Sequence, residues 1–411
     1  MYTPVKTQEQ LQKEWRNQYV QWYAAGMPTF QAKKKDVFKQ IAVKFKSEED
    51  RNHFSDKMEY NLTKKTNVVY YPARGREENM TNRYVETDTD HFNPKYPIYI
   101  ISKGRADTRH TAKTLEKMGI PYYIAVEPQE YDVYVKATSA AGDLGTVLEL
   151  PFSNHGKGSG PARNWCWEHS QANGHARHWL MDDNIDGFVR LHKNKRYRVE
   201  NGSGIFRATE DFVDRYENVA LASFQYKFFV VDPCPYQPFI LNTRMMSCIL
   251  IDNNCPHKWR GKFNEDVDLS IRVLKEGLCT VLMYAFVQGK LRTGTVKGGN
   301  TTEVYEDYSG EGENDPAYNK SKMLKEMHPD CVTLVERYGR VHHHVDLNAI
   351  MTKDGYPARQ NPLILKKDMP IVNKVDNYGM QLMRNWNTDE QYPDPQFEAD
   401  EFPEGRTSIH G

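Results

Sequence analysis

Short apolar segments alternate with amphipathic ones between residues 96 and 287, and this alternation restricts the fold more than any other feature of the chain. The apolar segments have the length and composition of buried strands, and the segments between them repeat apolar residues with a helical period. Strands that alternate with helices form a largely parallel sheet covered by helices. The sequence therefore predicts an α/β domain, with strands at 96–101, 122–126, 147–150, 178–181 and 278–287 and helices at 108–118, from about 264, and at 317–327.

Less regular regions flank this domain and indicate three parts, 1–92, 93–350 and 351–411. The first is predicted to be a small α+β module that ends in a linker at 73–92, and the last an irregular extension. Seven acids and no Lys or Arg occur between residues 388 and 404, which is typical of a poorly ordered acidic tail. Within the first part, helices are predicted at 8–23 and from Ser47, and strands at 41–45 and 68–71.

Charge and cysteine content argue against several classes of protein. Lys and Arg number 55, as do Asp and Glu, so the net charge of zero gives no global attraction to nucleic acid. A nucleic-acid substrate would therefore need a local basic groove. The six cysteines form no CxxC pair, which disfavours a zinc site or a disulfide framework and suits a reducing compartment. Because the sequence has no apolar leader and no run of 18 apolar residues, we expect a cytoplasmic protein without a membrane segment.

An acidic turn, Asp182-Asp183-Asn184, directly follows the predicted strand at 178–181. Ligands of open α/β sheets bind at the carboxyl ends of the strands, where this turn would lie. Neighbouring carboxylates repel each other unless a cation lies between them. Mg²⁺ or Mn²⁺ bridging a diphosphate would meet that need, so the turn is a candidate donor and metal site. A helix cap or a solvated turn is the simpler alternative.

Three carboxylates, Glu265, Asp266 and Asp268, lie at or near the start of a predicted helix. The helix dipole stabilises negative charge at such a position, so ordinary N-terminal capping would explain them. In the functional interpretation, one of them is a general base that takes the proton from an acceptor hydroxyl. The residues alone leave both interpretations open.

Two glycine-rich segments carry basic residues that suit phosphate. The turn at 156–160 precedes a helix whose first turn holds Arg163, and the backbone N–H groups of such a turn can receive phosphate. The loop at 288–301 contains Lys290 and Lys297 and would close over a diphosphate leaving group. In both cases the alternative is a solvated surface loop.

Two further polar segments are weaker candidates. Ser102, Lys103 and Arg105 follow the first strand of the domain, where they would contact a nucleotide base or ribose, or simply form a turn. The run His342–His344 is compatible with metal binding. Alternation along a strand would send His343 to the side opposite its neighbours, however, which favours a packed strand.

A basic run follows the acidic turn by about ten positions. Positive charge interleaved with a tyrosine suits the phosphate backbone of an acceptor nucleic acid. A charge run is more often a solvated face, so the discriminating observation is whether these residues line a groove beside the acidic turn. The run comprises Lys193, Lys195, Arg196 and Arg198.

Five segments, 98–105, 126–131, 179–184, 264–272 and 297–301, carry a resemblance to known proteins. Their order resembles that of the GT-A glycosyltransferases, and together they are similar to the TET-associated glycosyltransferases. Members of that family are encoded largely by bacteriophages and are related to the base J glucosyltransferase and to GREB-type domains. The resemblance extends over roughly residues 95–345.

The resemblance implies a GT-A fold and transfer of a sugar from a UDP-sugar, such as UDP-glucose, to a modified pyrimidine. The expected acceptor is the hydroxyl of 5-hydroxymethylcytosine in DNA, with inversion, in a phage-infected host cytoplasm. Mn²⁺ or Mg²⁺ is the implied cofactor. Asp266 is the implied base, and Asn184 is the implied metal ligand, with Asp183 sharing that role. Gln288 stands near the position of a metal-binding His in many GT-A enzymes. The implied donor contacts are Ser102, Lys103, Arg105, Arg163, Asp182, Asp183, Glu265, Lys290 and Lys297.

Three alternatives stay open. The first is a glycosyltransferase whose acceptor is a protein, a glycan or a small molecule, which the zero net charge favours. The second is a catalytically inactive DNA-binding module, which Asn184 and Gln288 permit because both depart from the GT-A pattern. The third is a metal-dependent nuclease built on the same carboxylates. The sequence leaves the identity of the sugar and the oligomeric state open.

Overall fold

A computed structural model describes residues 18–30, 42–58, 62–63, 66, 82–86, 93–192, 195–230, 237–291, 298–299, 316–337, 339–367, 376–384 and 392–393. The helices are α1 (residues 18–24), α2 (Glu48–Lys57), α3 (His110–Met118), α4 (Tyr131–Ser139), α5 (Gly160–Ala172), α6 (Gly204–Asp214), α7 (Glu265–Lys275) and α8 (Pro316–Met327). The strands are β1 (Arg83–Glu86), β2 (Ile98–Ile101), β3 (Tyr122–Val126), β4 (Gly145–Glu149), β5 (Arg177–Asp182), β6 (Ile185–His192), β7 (Lys195–Val199), β8 (Val219–Tyr226), β9 (Phe239–Leu241), β10 (Cys248–Asp252), β11 (Cys279–Lys290), β12 (Val332–Arg337), β13 (Arg340–Val345), β14 (Met380–Arg384) and β15 (Tyr392–Pro393).

One 13-stranded sheet runs through the molecule in the order β15-β14-β1-β7-β6-β11-β8-β10-β5-β2-β3-β4, with β9 also paired to β11. Strands β2 to β5 pair in parallel in the order β4-β3-β2-β5, the arrangement of a nucleotide-binding half-sheet. Strand β10 runs antiparallel to both of its neighbours, β5 and β8, so the sheet as a whole is mixed. The predicted α/β class is confirmed.

The sheet is covered on both faces. Along β2, Ile98 and Ile100 enter one hydrophobic core and Tyr99 enters another, because successive side chains of a strand point to opposite faces. Helix α3 contributes Leu115 to the first core and ends at Met118. The next residue, Gly119, caps it with a φ of 75°, a left-handed conformation that glycine adopts without strain. The buried faces hold the strands in register and leave their carboxyl ends free to form a site.

Of the described N-terminal residues, those at 18–30 pack into the first of these cores. Trp22 of α1 is fully buried, with its ring centroid 5.8 Å from that of Phe212 and 6.0 Å from that of Phe286. Helix α2 begins after Ser47, as predicted, and Ser47 and Asp50 form a capping box there. Residues 42–45 form no strand, contrary to the prediction for 41–45, and Phe45 instead packs on Phe54 of α2.

The linker predicted at 73–92 was wrong for residues 83–86. These residues form β1, which pairs in parallel with β7 and antiparallel with β14. A four-residue strand carries little periodicity of its own, and its partners lie far away in the sequence, so its pairing could not be recognised locally. The predicted strand at 68–71 and most of the acidic tail at 388–404 lie outside the described residues.

A two-stranded hairpin of β12 and β13 lies apart from the main sheet and packs against α8. In β13, His342 and His344 are exposed and His343 is half-buried, which confirms the predicted alternation. Burial lowers the pKa of His343 to about 4. The described part of the chain contains no helix with both the length and the hydropathy of a membrane span.

Candidate active site

An open cleft of about 1330 Å³, its mouth included, lies at the carboxyl ends of β2, β3 and β5. The sheet places most of the site residues predicted from the sequence in the wall of this cleft. Residues from the turn after β2, the acidic turn after β5, the start of α5, the start of α7 and the end of β11 all contribute. The predicted residues that line the cleft are Ser102, Lys103, Arg105, Arg163, Asp182, Asp183, Asn184, Glu265, Asp266 and Lys290.

Asp182, the last residue of β5, is held by two cationic side chains. Its Oδ1 accepts a hydrogen bond from Nη2 of Arg163 at 2.5 Å, and its Oδ2 accepts from Nζ of Lys290 at 2.6 Å. Ser247 donates to Oδ2 as well, at 2.7 Å. Burial alone would raise the pKa of Asp182, but Lys290 and Arg163 hold it below its ordinary value. Asp182 is therefore a fixed negative charge that positions two cations at the cleft.

Asp183 ties the acidic turn to the turn after β2. Ser102 donates to its Oδ2 at 2.8 Å, and Arg105 forms an ion pair with its Oδ1. The same guanidinium donates to the carbonyl oxygen of Gly298 at 2.8 Å. Arg105 thus links the acidic turn to the glycine pair 298–299 of the loop at 288–301, and Gly299 lines the cleft beside it.

Asn184 differs from its two acidic neighbours. Its side chain is buried, and Oδ1 accepts no hydrogen bond from the described residues. The amide nitrogen makes one long contact, 3.5 Å to the carbonyl oxygen of Leu291. A buried acceptor without a partner is costly, so Asn184 Oδ1 is suited to a ligand of positive charge.

The three carboxylates of α7 have three different environments. Glu265 accepts a hydrogen bond from Ser159 at 2.6 Å and lies 3.3 Å from Arg163. Asp268 is fully buried and does not line the cleft; it pairs with Arg260, Arg272 and His328 at 3.0, 2.7 and 2.8 Å, and of these Arg260 is half exposed. Burial acts to raise the pKa of Asp268, and those three partners lower it to about 2.

Asp266 faces the cleft and forms no ion pair with the described residues, although its carboxylate accepts the amide N–H of Val267 at 2.8 Å. Burial and the neighbouring charge of Glu265 raise the pKa of Asp266. A carboxylate with a raised pKa is a stronger proton acceptor when it is ionised. The structure therefore separates Asp266 from Asp268, which the sequence could not do.

The opposite end of the cleft contains residues that the sequence analysis did not select. Glu127 follows β3 and holds Lys103 at 3.1 Å, and Lys103 also donates to Asn154 at 3.0 Å. Phe152 and His155 line the same region, with ring centroids 4.7 Å apart. Because Glu127 and Phe152 follow predicted strands at the carboxyl edge, the rule that selected Asp182 would have found both.

Two further residues behind the acidic turn were also missed. Ser247 and Tyr226 are joined by a hydrogen bond of 2.5 Å, and both contact Lys290. They belong to parts of the chain that meet the acidic turn only through the sheet order. No local signal in the sequence marks them.

Some predicted site residues do not reach the cleft. Gln288 is buried, and its amide donates to the carbonyl oxygens of Phe224 and Met246 at 2.7 and 2.9 Å. Its Oε1 accepts no hydrogen bond from the described residues, but Gln288 does not line the cleft, so the structure does not support it as a metal ligand of this site. Its place at the strand end was misjudged because β11 continues two residues beyond it to Lys290.

Three of the four predicted acceptor residues lie on β7 rather than in the cleft. Lys195, Arg196 and Arg198 are exposed, and none of them lines the cleft. A basic groove beside the acidic turn would have favoured a DNA acceptor. These three side chains do not form one. Lys193 and Lys297 lie outside the described residues.

Comparison with known proteins identifies the domain that carries this cleft. Residues 96–299 match the family model of the TET-associated glycosyltransferases. This segment is a TET-associated glycosyltransferase domain. The match spans β2 to the glycine pair after β11, so it includes every described part of the cleft except Lys320. The strand order bears out the α/β class expected from the sequence, and the GT-A form remains what the family resemblance implies.

Other comparisons give only distant likenesses. No curated protein matches the sequence. Among solved structures, this chain is similar to GalNAc-T7 crystallised with UDP, GalNAc and Mn²⁺, with 9% identity, a TM-score of 0.34, and coverage of 59% of this chain and 55% of that one. It thus spans about half the length of that structure. Mannose-6-phosphate isomerase from Helicobacter pylori follows with 8% identity, a TM-score of 0.22, and coverage of 67% and 95%. TM-scores this low do not bear on activity.

Proposed function

We propose that the domain transfers a sugar from a UDP-sugar, such as UDP-glucose, to the hydroxyl of 5-hydroxymethylcytosine in DNA, with inversion at the sugar carbon. The observation that carries the proposal is the position of Asp266. It lies in the same cleft as the acidic turn, has a raised pKa, and is not neutralised by an ion pair with the described residues. Direct transfer of a sugar requires the base and the donor site to lie in the same cleft, because the acceptor hydroxyl must reach both.

The charge of the cleft supports an anionic donor. Lys290 and Arg163 line it, as do Lys262 and Lys320, and the Nη1 atom of Arg163 is buried without a hydrogen-bond partner among the described residues. Cationic groups fixed in a partly dry site stabilise a diphosphate far better than they would in water. The Lys103–Glu127 pair, with the aromatic Phe152 nearby, is the proposed place for the nucleoside.

A divalent cation fits this site at Asn184. Its orphaned, buried Oδ1 offers one oxygen ligand, and Asp183 beside it would supply a second by exchanging one of its present partners. When bound, Mn²⁺ or Mg²⁺ would neutralise charge on the diphosphate. The negative charges of Asp182 and Asp183 are already paired with Lys290, Arg163 and Arg105. The two carboxylates therefore need a metal ion between them less than their sequence suggests.

The proposed step is a single displacement. Ionised Asp266 takes the proton of the acceptor hydroxyl while the hydroxyl oxygen bonds to the sugar carbon. The bond from that carbon to the diphosphate oxygen breaks, and UDP departs with the electron pair. Lys290 and Arg163 stabilise the charge that develops on the leaving group. A pyrimidine within a duplex would have to be flipped out of the stack to reach Asp266.

The alternative acceptor, a protein, a glycan or a small molecule, stays a second candidate. It is supported by the zero net charge and by the absence of Lys195, Arg196 and Arg198 from the residues lining the cleft. The family resemblance supports a DNA acceptor, and the proposed setting is the cytoplasm of a phage-infected host.

One experiment tests the proposal and separates these candidates. The protein is incubated with hydroxymethylated DNA, Mn²⁺ and a panel of UDP-sugars, and the nucleosides released by digestion are weighed by mass spectrometry. A hexose-sized mass increase on 5-hydroxymethyl-2′-deoxycytidine is expected. Hydrolysis of a UDP-sugar without DNA modification would support a different acceptor. Loss of DNA integrity would indicate a nuclease, and no reaction of either kind would support the inactive DNA-binding module.

A further inference from the structure

Two exposed aromatic side chains lie on the outer side of Tyr226. The tyrosine in turn contacts Lys290, which together with Asp182 is called the donor centre below. Phe228 and Phe229 follow β8 in a short 3₁₀ turn and expose 56% and 48% of their surface. Their ring centroids are 4.4 Å apart. Large aromatic side chains are normally buried, so a contiguous exposed pair marks a candidate binding surface.

This pair is connected to the acidic turn by direct contacts. The ring of Phe228 stacks on Tyr226 at 5.1 Å with an interplanar angle of 17°. Tyr226 lies against Lys290, whose Nζ is 5.6 Å from the centre of the tyrosine ring and 2.6 Å from Oδ2 of Asp182. The aromatic series Tyr226–Phe228–Phe229 therefore leads outward from the donor centre to the protein surface.

Positive charge borders the same surface. Arg196 of β7 is exposed, and its Nη1 donates to the carbonyl oxygen of Lys227, the exposed residue that begins the 3₁₀ turn. Arg198 lies two positions further along β7, on the same face as Arg196, and is also exposed. Glu200 lies 3.8 Å from Arg198 and offsets its charge. The positive charge beside the aromatic pair is therefore that of Arg196 and Lys227.

We propose that Phe228 and Phe229 form a stacking platform for an unpaired pyrimidine base of a DNA strand, with Arg196 and Lys227 contacting its phosphates. The proposal rests on the function proposed above and adds the site that would hold the acceptor. Aromatic faces flanked by cations are the recurrent means of holding single-stranded nucleic acid, since every base has a flat face and every nucleotide a negative charge. An apolar protein segment would use the rings but gain nothing from the two cations.

The test is a binding measurement that does not depend on turnover. The double variant Phe228→Ala/Phe229→Ala is compared with wild type for a single-stranded, hydroxymethylated oligonucleotide, by fluorescence anisotropy at one fixed salt concentration. We expect its Kd to rise about tenfold or more, as for the loss of base stacking elsewhere. The affinity for UDP, measured by calorimetry, is expected to stay within about twofold, which also shows that the variant is folded.

Two further variants sharpen the comparison. Phe228→Tyr keeps an aromatic face and is expected to bind the oligonucleotide as wild type does. Tyr356→Ala removes another exposed aromatic, 38% accessible, whose hydroxyl lies near Gly277 beyond the C-terminal end of α7. That end, Lys275, is roughly 14 Å from Asp266 along the helix, so this control is expected to have no effect on DNA binding.

The outcomes are distinct. Wild-type oligonucleotide affinity in the double variant would overturn the platform, as would a wild-type protein that binds UDP but no oligonucleotide. If wild type binds both ligands, the double variant loses the oligonucleotide, and wild type nevertheless transfers no sugar to it, the platform stands and the proposed function fails.

Discussion

Nζ of Lys290 lies 2.6 Å from Oδ2 of Asp182, and each residue is the last of its strand, β11 and β5. The two strands are not neighbours, because β8 and β10 lie between them. Lys290 therefore reaches across the ends of two strands to meet the acidic turn. Burial would lower the pKa of Lys290, but the charge of Asp182 raises it above its ordinary value, so the ammonium stays protonated at neutral pH.

The first prediction concerns this ammonium. Replacing it in Lys290→Met should lower kcat by about 10²–10³, because a fixed charge that stabilises the leaving group is lost. The measurement is steady-state transfer with saturating donor. Lys353→Met, which removes an exposed lysine paired with Glu276, is the control and should leave kcat unchanged. Wild-type kcat in Lys290→Met would show that the leaving group is stabilised elsewhere.

The second prediction concerns the proposed base. Asp266→Asn should lower kcat by about 10²–10⁴ and leave the Kd for UDP within about twofold, because the amide fills the same space but accepts no proton. Transfer assays and calorimetry measure the two quantities. Asp330→Asn, on a side chain with 49% exposure, is a carboxylate control that should have no effect. Retained turnover in Asp266→Asn would refute the assignment of the base.

The third prediction is the pH dependence. Because the pKa of Asp266 is raised, the acid limb of kcat/KM should lie above the usual aspartate range near pH 4. The rate should fall as the pH drops through that pKa, since protonated Asp266 cannot act as a base. Glu265→Gln removes one cause of the rise and should move the limb to lower pH. A limb that moves to higher pH, or does not move, would contradict the electrostatic coupling of these two residues.

The fourth prediction concerns the metal. Chelation with EDTA should reduce transfer, and added Mn²⁺ should restore it. Asn184→Asp should lower the Mn²⁺ concentration needed for half-maximal rate, because a carboxylate binds a hard cation more strongly than an amide does. Asn184→Ala should raise that concentration. Equal Mn²⁺ dependence in wild type and both variants would exclude Asn184 as a ligand.

The fifth prediction separates stability from catalysis. Asp268→Asn should lower the free energy of unfolding by about 3–5 kcal/mol, because Arg260, Arg272 and His328 lose their buried counter-charge. The folded-state pKa of Asp268 is depressed to about 2, so its stabilisation is present above the ordinary value near pH 4 and is lost as the pH falls toward 2. Urea unfolding at several pH values measures this. Glu276→Gln, at a surface pair, should cost less than about 1 kcal/mol.

The sequence was most informative where structure is local. The strand after residue 96 and the helix at 108–118 were found because their apolar periodicity is complete within the segment. Strands β1 and β7 were missed because they are short, and because their stability comes from pairing with segments distant in the chain. The predicted strand at 41–45 fails in its described residues for the converse reason, since alternation alone does not supply a partner.

The sequence likewise predicted those parts of the candidate site that follow from local structure and missed those that depend on tertiary contacts. The edge rule for parallel sheets was enough to place Ser102 and Asp182 in one cleft. Asp266 and Asp268 begin the same helix two positions apart, and only the packing of His328 and two arginines shows that Asp268 is structural. Ser247 was beyond sequence reasoning, because its contact with Asp182 depends on β10 running antiparallel beside β5.

The pairing of β1 with β14 also has a consequence for synthesis on the ribosome. Arg83 is opposite Met383, 300 positions further along the chain. At typical rates of translation, roughly 15–60 s separate the emergence of these two partners. During that interval β1 is a strand with an unsatisfied edge, and such edges recruit other chains. The nascent protein is therefore exposed to aggregation through β1 for a long period. A chaperone or transient contacts that shield this strand would favour folding during that time.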